Sequence, residues 1–167
     1  QGDDGLVADH IPFLYQPHED EGQWGRLIGH VAKANPIWQR AAAQEVLLVF
    51  QGASTYISPN WYATKAHTHQ VVPTWNYAVV HVYARIQPIT VPAQVLDILK
   101  QQTHQHEQQQ AQPWQVEDAP AAFIEKLQAH IVGLVCDISR IEGKWKVSQN
   151  QPKLNQLSVI AGLEGKG

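Results

Sequence analysis

Apolar and polar positions alternate through the first half of the chain and recur at helical spacing through much of the second. Asp3-Asp4-Gly5 is a hairpin-type turn. Leu6 to Leu14 then reads as a strand, with Pro12 placing it at a sheet edge or ending it. After a polar loop from Pro17 to Gly25, Arg26 to Ala32 is the next strand. Asn35 is a good N-cap and Pro36 suits a first helical position, so a short helix is expected there, reaching about Ala43. Glu45 to Gln51 and Ser54 to Ile57 read as a strand pair about a turn at Gly52. Val79 to Pro88 is a further strand, in which His81, Tyr83 and Arg85 alternate with Val80, Val82 and Ala84.

Thr90-Val91-Pro92 opens a helix running to about His106, with Val95, Leu96 and Leu99 as its apolar stripe. The Gln- and His-rich stretch from Gln101 to Gln112 makes its end and an exposed loop. Asp118 caps an expected helix that carries Phe123, Ile124, Leu127 and Ile131 on one face and is interrupted at Gly133. A strand from Leu134 ends near Gly143, and Lys144 to Asn150 forms a polar turn. A last helix covers about Pro152 to Leu163, with Leu154, Leu157 and Ile160 as apolar positions and Asn150 ahead of it as N-cap. Antiparallel strands with peripheral helices make this an α+β, barrel-like domain.

A chain of 167 residues is roughly one domain with room for a real core. Its 44% hydrophobic content, six Trp included, excludes disorder. No apolar run approaches the ~20 residues of a membrane span, and no signal-peptide pattern is present, so no membrane role is expected. The single cysteine, Cys136, permits no internal disulfide and fits a cytoplasmic setting. Its apolar neighbours make it a core filler rather than a nucleophile. A net charge of −3 without a Lys/Arg cluster weighs against nonspecific nucleic-acid binding. From the start at Gln1, already turn-like, and the absence of methionine, the expectation is that an N-terminal segment is missing and that methionine positions have dropped out, so that the numbering skips residues.

The richest stretch for chemistry is Tyr56-Ile57-Ser58-Pro59-Asn60-Trp61-Tyr62 with Lys65 and Val71-Val72-Pro73-Thr74-Trp75-Asn76-Tyr77. A belt of amphipathic aromatics beside amides and hydroxyls suits a flat, polar-edged aromatic ligand or a subunit interface; it equally suits aromatics of a loop packing over a sheet edge. His30-Val31-Ala32-Lys33-Ala34-Asn35-Pro36 runs from a strand end into a helix start. It offers either a phosphate seat or an ordinary capped helix with a solvated lysine. Gly143-Lys144-Trp145-Lys146-Val147-Ser148-Gln149-Asn150 offers two cations for an anion, and amides for ligand edges. Among nine histidines, His67/His69 and His104/His106 alternate, but without Cys or carboxylate partners at ligand spacing, so no metal site is assigned. His81 and His130 read as part-buried structural residues.

Five blocks together resemble the PaiB family, FMN-binding negative transcriptional regulators of split-barrel fold: Leu6 to Phe13, Gly29 to Pro36, Tyr56 to Tyr62, Val72 to Tyr77 and Glu142 to Asn150. The resemblance implies a single split β-barrel domain over 1–167 with peripheral helices, lacking the family's N-terminal helix and first strand. It also implies a homodimer with FMN between subunits. Carried onto this sequence, the FMN-binding residues are His30, Lys33, Asn35, Ser58, Trp61, Lys65, Thr74, Trp75, Asn76, Lys144, Lys146, Ser148, Gln149 and Asn150. In that assignment Lys33, Asn35 and N–H groups near Pro36, helped by Lys144 or Lys146, meet the phosphate. Trp75 packs on or beside the ring, and Asn76 and Gln149 meet its polar edge. The loop His67-Thr68-His69-Gln70 departs from the family, where an acidic residue and Gly are usual. Two functions follow: a regulator or sensor acting with DNA or a regulatory protein partner, or a flavin-dependent oxidoreductase of a small substrate. A haem-binding protein is a third reading. No general acid, base or nucleophile stands out in the matched blocks, so no catalytic residue is assigned.

Overall fold

The computed structural model describes residues 5–19 and 24–165, so the turn expected at Asp3-Asp4 lies outside the described residues. The strands are β1 (Phe13–Gln16), β2 (Arg26–Ala32), β3 (Glu45–Ile57), β4 (Thr74–Ile89) and β5 (Ile131–Lys146). The helices are α1 (Ile37–Arg40), α2 (Lys65–Thr68), α3 (Pro92–Glu107), α4 (Ala121–Gln128) and α5 (Lys153–Glu164). The strands form one five-stranded sheet in the order β1-β2-β5-β4-β3. β1 pairs antiparallel with β2, Phe13 opposite Gly29, and β2 pairs antiparallel with β5, Ala32 opposite Ile131. The α+β class is thus as expected, and among the described residues β1 and β3 are the edges of the sheet.

Several boundaries differ from the sequence reading, each for a physical reason. β1 starts at Phe13, because its register with β2 begins there and Pro12 lacks an N–H to give. β3 is one strand of 13 residues, with Gly52 inside it and β4 beside it, rather than a hairpin. Gly133 lies within β5. A Cβ there would sit 2.7 Å from Ile98 Cδ1, so the glycine lets α3 approach the sheet instead of breaking an element. Asp118 ends a short 3-10 turn, Val116–Asp118, its carboxylate accepting Gln115 N–H at 2.9 Å, and α4 starts only after Pro120. β5 continues through Gly143-Lys144-Trp145-Lys146, so the polar turn is confined to the residues after it.

The chain divides into two compact units, residues 1–48 with 82–141, and residues 49–81 with 142–167. The first is built on Leu27, Val31, Ala41, Val82, Ala84, Ile86, Val132, Leu134 and Cys136, all buried. A buried aliphatic side chain of this kind contributes about 2 kcal/mol. The second has a smaller core of Ile57, Tyr62 and Val159, with Trp61, Val71 and Leu163 packed against it. Among the described residues no helix is long and apolar enough to cross a membrane.

Cys136 is a free, fully buried thiol, and burial, with Asp137 beside it, pushes its pKa up to about 12. A raised thiol pKa contributes stability that is whole below the ordinary value of 9.0 and is lost as pH rises toward 12. Native protein at neutral pH should therefore leave Cys136 unmodified by an aromatic disulfide reagent, with one thiol titrating after denaturation. Prompt reaction of the native protein would contradict this placement.

Candidate functional site

In the second unit the segment after β3 is shaped by its own side chains. Ser58 Oγ accepts the Asn60 N–H at 3.2 Å and so caps the 3-10 turn Pro59–Trp61, with proline at a helix-compatible first position. Lys65 donates its ammonium to Asn60 Oδ1. Helix α5 holds the next residues. Asn155, buried, accepts Thr64 N–H at 3.1 Å and donates to Thr64 Oγ1 at 3.0 Å, and Ser158 Oγ accepts Ala63 N–H at 3.2 Å. Trp61 rests on Gly162 of the same helix, where a Cβ would lie 2.5 Å from Trp61 Cγ. Ser58, Trp61 and Lys65 are thereby fixed within this loop.

The start of β4 and the end of β5 supply a row of polar groups. Lys146 donates to Thr74 Oγ1 at 2.5 Å, and its ammonium lies 5.9 Å from the Tyr77 ring centre, at the limit of a cation–π contact. Ser148, in the turn that follows β5, donates its Oγ to Asn76 Oδ1 at 3.0 Å, both side chains buried. Ser148 holds φ at 61°, in the left-handed region. Gln149 braces that turn, accepting Val147 N–H at 2.7 Å and donating to Trp145 O at 2.5 Å. Strand alternation puts Thr74 and Asn76 on one side of β4 and Trp75 on the other. There Trp75 meets Tyr56 edge-on, ring centres 6.0 Å apart. Trp75 is 56% exposed and Trp145 69%.

Chemically, this row offers a fixed cation, a hydroxyl and a buried amide on one side of the strand pair, with exposed indoles near it in sequence. Lys144 and Asn150 are exposed. Asn150 does not cap α5, whose N-terminal flank is Pro152 without a side-chain cap. His30, Lys33 and Asn35 belong to the first unit. His30 Nδ1 bonds Gln102 Oε1 at 2.8 Å. Lys33 N–H donates to His130 O at 2.7 Å. Asn35 accepts Ile37 N–H at 2.8 Å and donates to Asp9 at 2.7 Å, so its amide is engaged at both ends. The helix behind it, α1, is a single turn.

His81 is partly buried, whereas His130 is exposed. His67 lies in α2, and His104 and His106 lie in the last turns of α3 rather than in loops. Among the described residues no three His, Cys, Asp or Glu converge as a metal site. The sequence reading missed Asn155, which ties α5 to the loop after Trp61. Nothing local marks it, because a polar residue on the inward face is readable only once the helix phase is known.

Residues 1–140 match the family model described as "Putative FMN-binding domain". An uncharacterized protein of Emericella nidulans is 33% identical over 192 residues, covering 97% of this chain and 76% of its own length. An uncharacterized protein of Aspergillus fumigatus is also 33% identical, over 207 residues, with 97% and 77% covered. Protease synthase and sporulation protein PAI 2 of Bacillus subtilis is 29% identical over 163 residues, with 96% and 73% covered. Among solved structures, a flavocytochrome from Azotobacter vinelandii matches with a TM-score of 0.48 at 15% identity, over 76% of this chain and 52% of its own. The chain belongs to the FMN-binding domain family, the PaiB-like group that its sequence blocks resemble, and its cofactor is FMN.

Proposed function

We propose that this chain is an FMN-binding negative transcriptional regulator or sensor, a split-barrel protein acting as a two-fold homodimer and holding its flavin against the row of polar groups on β4, the end of β5 and the turn that follows it. The observation that carries the reading is the pairing of Lys146 with Thr74 next to that of Ser148 with Asn76. This donor set fits FMN. An ammonium has three donors and Thr74 takes one, leaving hydrogens for a phosphate that carries nearly two negative charges. Lys144, two positions away on β5, shares the strand face of Lys146. Asn76 and Ser148 are amide and hydroxyl groups of the kind that the pyrimidine edge of an isoalloxazine requires. When bound, the flavin supplies electron acceptance and release. The chain's own residues bind and orient it, and Asn76 and Ser148, buried, keep that edge from water.

The opposite side of β4 carries Trp75 and Tyr56, half-exposed rings that a solvated surface does not favour. β3 beside it is an edge strand, and Phe50, which alternation places on the same face as Tyr56, is exposed too. In this reading that side meets the second subunit, over an interface above ~1,000 Å². Light scattering at micromolar concentration should give twice the chain mass, and Trp75→Ala should shift it toward the monomer. A monomeric parent protein would overturn the dimer. A flavin-type visible spectrum after reconstitution, with no NAD(P)H consumption and with salt-dependent DNA retardation, is expected. Steady NAD(P)H turnover would replace the regulator with a flavin-dependent oxidoreductase.

A further inference from the structure

Two open clefts are lined by residues of the first unit alone. The larger, about 970 Å³, has Glu19 and Trp24 among its lining residues. The smaller, about 460 Å³, is lined in part by α3. Its floor is Ile28, Ile89, Ile98 and Val135, and its rim carries Arg26, Gln16, Gln101 and Asp97. A volume of this size, with an apolar floor and a few convergent polar groups, is that of a small-molecule site.

The rim groups form one continuous relay. Arg26 Nε donates to Gln16 Oε1 at 2.7 Å, Gln16 Nε2 donates to Gln101 Oε1, and Gln101 Nε2 donates to Asp97 Oδ2 at 2.7 Å. The charges at the two ends dictate the orientation of both carboxamides: each points its oxygen toward the cation and its nitrogen toward the carboxylate. The relay therefore sets a positive and a negative end apart by two glutamine side chains, with apolar surface beneath.

We propose that this cleft binds a small linear zwitterion, its carboxylate on Arg26, its ammonium on Asp97 and an apolar spacer over the isoleucine floor. Arg26 engages Gln16 through Nε, and its terminal nitrogens form the planar fork that a carboxylate fits. Asp97 engages Gln101 through one oxygen, and a carboxylate accepts several hydrogen bonds. An ω-amino carboxylate matches the separated charges, whereas an α-amino acid carries both charges on one carbon. The competing account is that the relay only braces α3 against β1 and β2.

The test is an NMR titration of the whole chain with 6-aminohexanoate, its isomer norleucine, hexanoate and hexylamine, followed at the Gln16 and Gln101 side-chain amides. Saturable shifts are expected with 6-aminohexanoate, about fivefold tighter than with each of the other three, the scale of one exposed charge contact. Arg26→Gln and Asp97→Asn should each cost a similar factor. The absence of saturable shifts, or equal affinity for all four compounds, would leave the relay as a brace and overturn the proposal. If Arg26→Gln does not fold, the four-compound series on the unaltered protein and Asp97→Asn still decide it.

Discussion

Gly162→Ala should destabilise the second unit by about 1–2 kcal/mol, although alanine is the better helix former by nearly 1 kcal/mol. The new methyl carbon would lie 2.5 Å from Trp61 Cγ, 2.6 Å from Cδ2 and 2.8 Å from Cδ1. Those are rigid ring atoms, not the tip of a flexible chain, and the ring is packed against Ile57, Tyr62 and Val159. Either the indole moves and breaks that small core, or α5 lifts and its bonds to Ala63 and Thr64 lengthen. Thermal unfolding followed by circular dichroism should show a melting temperature several degrees lower. Combining Gly162→Ala with Trp61→Leu should cost less than the sum of the single changes, because the smaller side chain removes the overlap. A Gly162→Ala protein as stable as its parent would mean that α5 is not seated on Trp61.

Lys146→Ala should weaken FMN binding 10- to 100-fold while changing riboflavin binding less than about threefold, since a charged hydrogen bond is worth roughly 1.5–3 kcal/mol and only FMN carries the phosphate. Quenching of flavin fluorescence on titration measures both ligands directly. The loss of the bond to Thr74 is common to the two titrations and cancels from their ratio. Lys33→Ala, tested with the same pair, examines the phosphate role that the family resemblance implies for the strand–helix junction. Asn35 in that segment is already bonded to Asp9 and to Ile37 N–H, and a carboxylate neighbour disfavours an added phosphate. Equal losses for FMN and riboflavin on Lys146→Ala would remove the phosphate from β5.

The elements readable from the residues are those whose signals are local. β2 spans Arg26–Ala32, as its apolar run indicates, and α3 starts at Pro92, where proline loses no helical hydrogen bond. The last helix also falls within a residue of its expected start. The same locality misled at glycines. Gly52 and Gly133 look like breaks in a pattern, yet each lies inside a long strand, and what Gly133 accommodates is Ile98 of a helix distant in sequence. The aromatic belt was legible as a special region, but the division of its labour was not. Ser58 turns out to cap, Trp61 to pack and Gln149 to brace, because each side chain has a neighbour that only the folded chain brings up.

Helix α5 separates the two kinds of information. Its sequence determines that it is a helix and that Leu154, Leu157 and Ile160 recur along it. It does not determine which face turns inward: those three are half-exposed or more, while Asn155 and Val159 are buried. The helix is apolar on more than one side, so periodicity alone cannot choose. The loop at Ala63 and Thr64 presents backbone N–H groups that need acceptors, and Trp61 needs a place where no Cβ intrudes. Only Asn155, Ser158 and Gly162 meet those needs together, so unpaired N–H groups and a large ring, rather than hydrophobicity, decide the orientation of the helix.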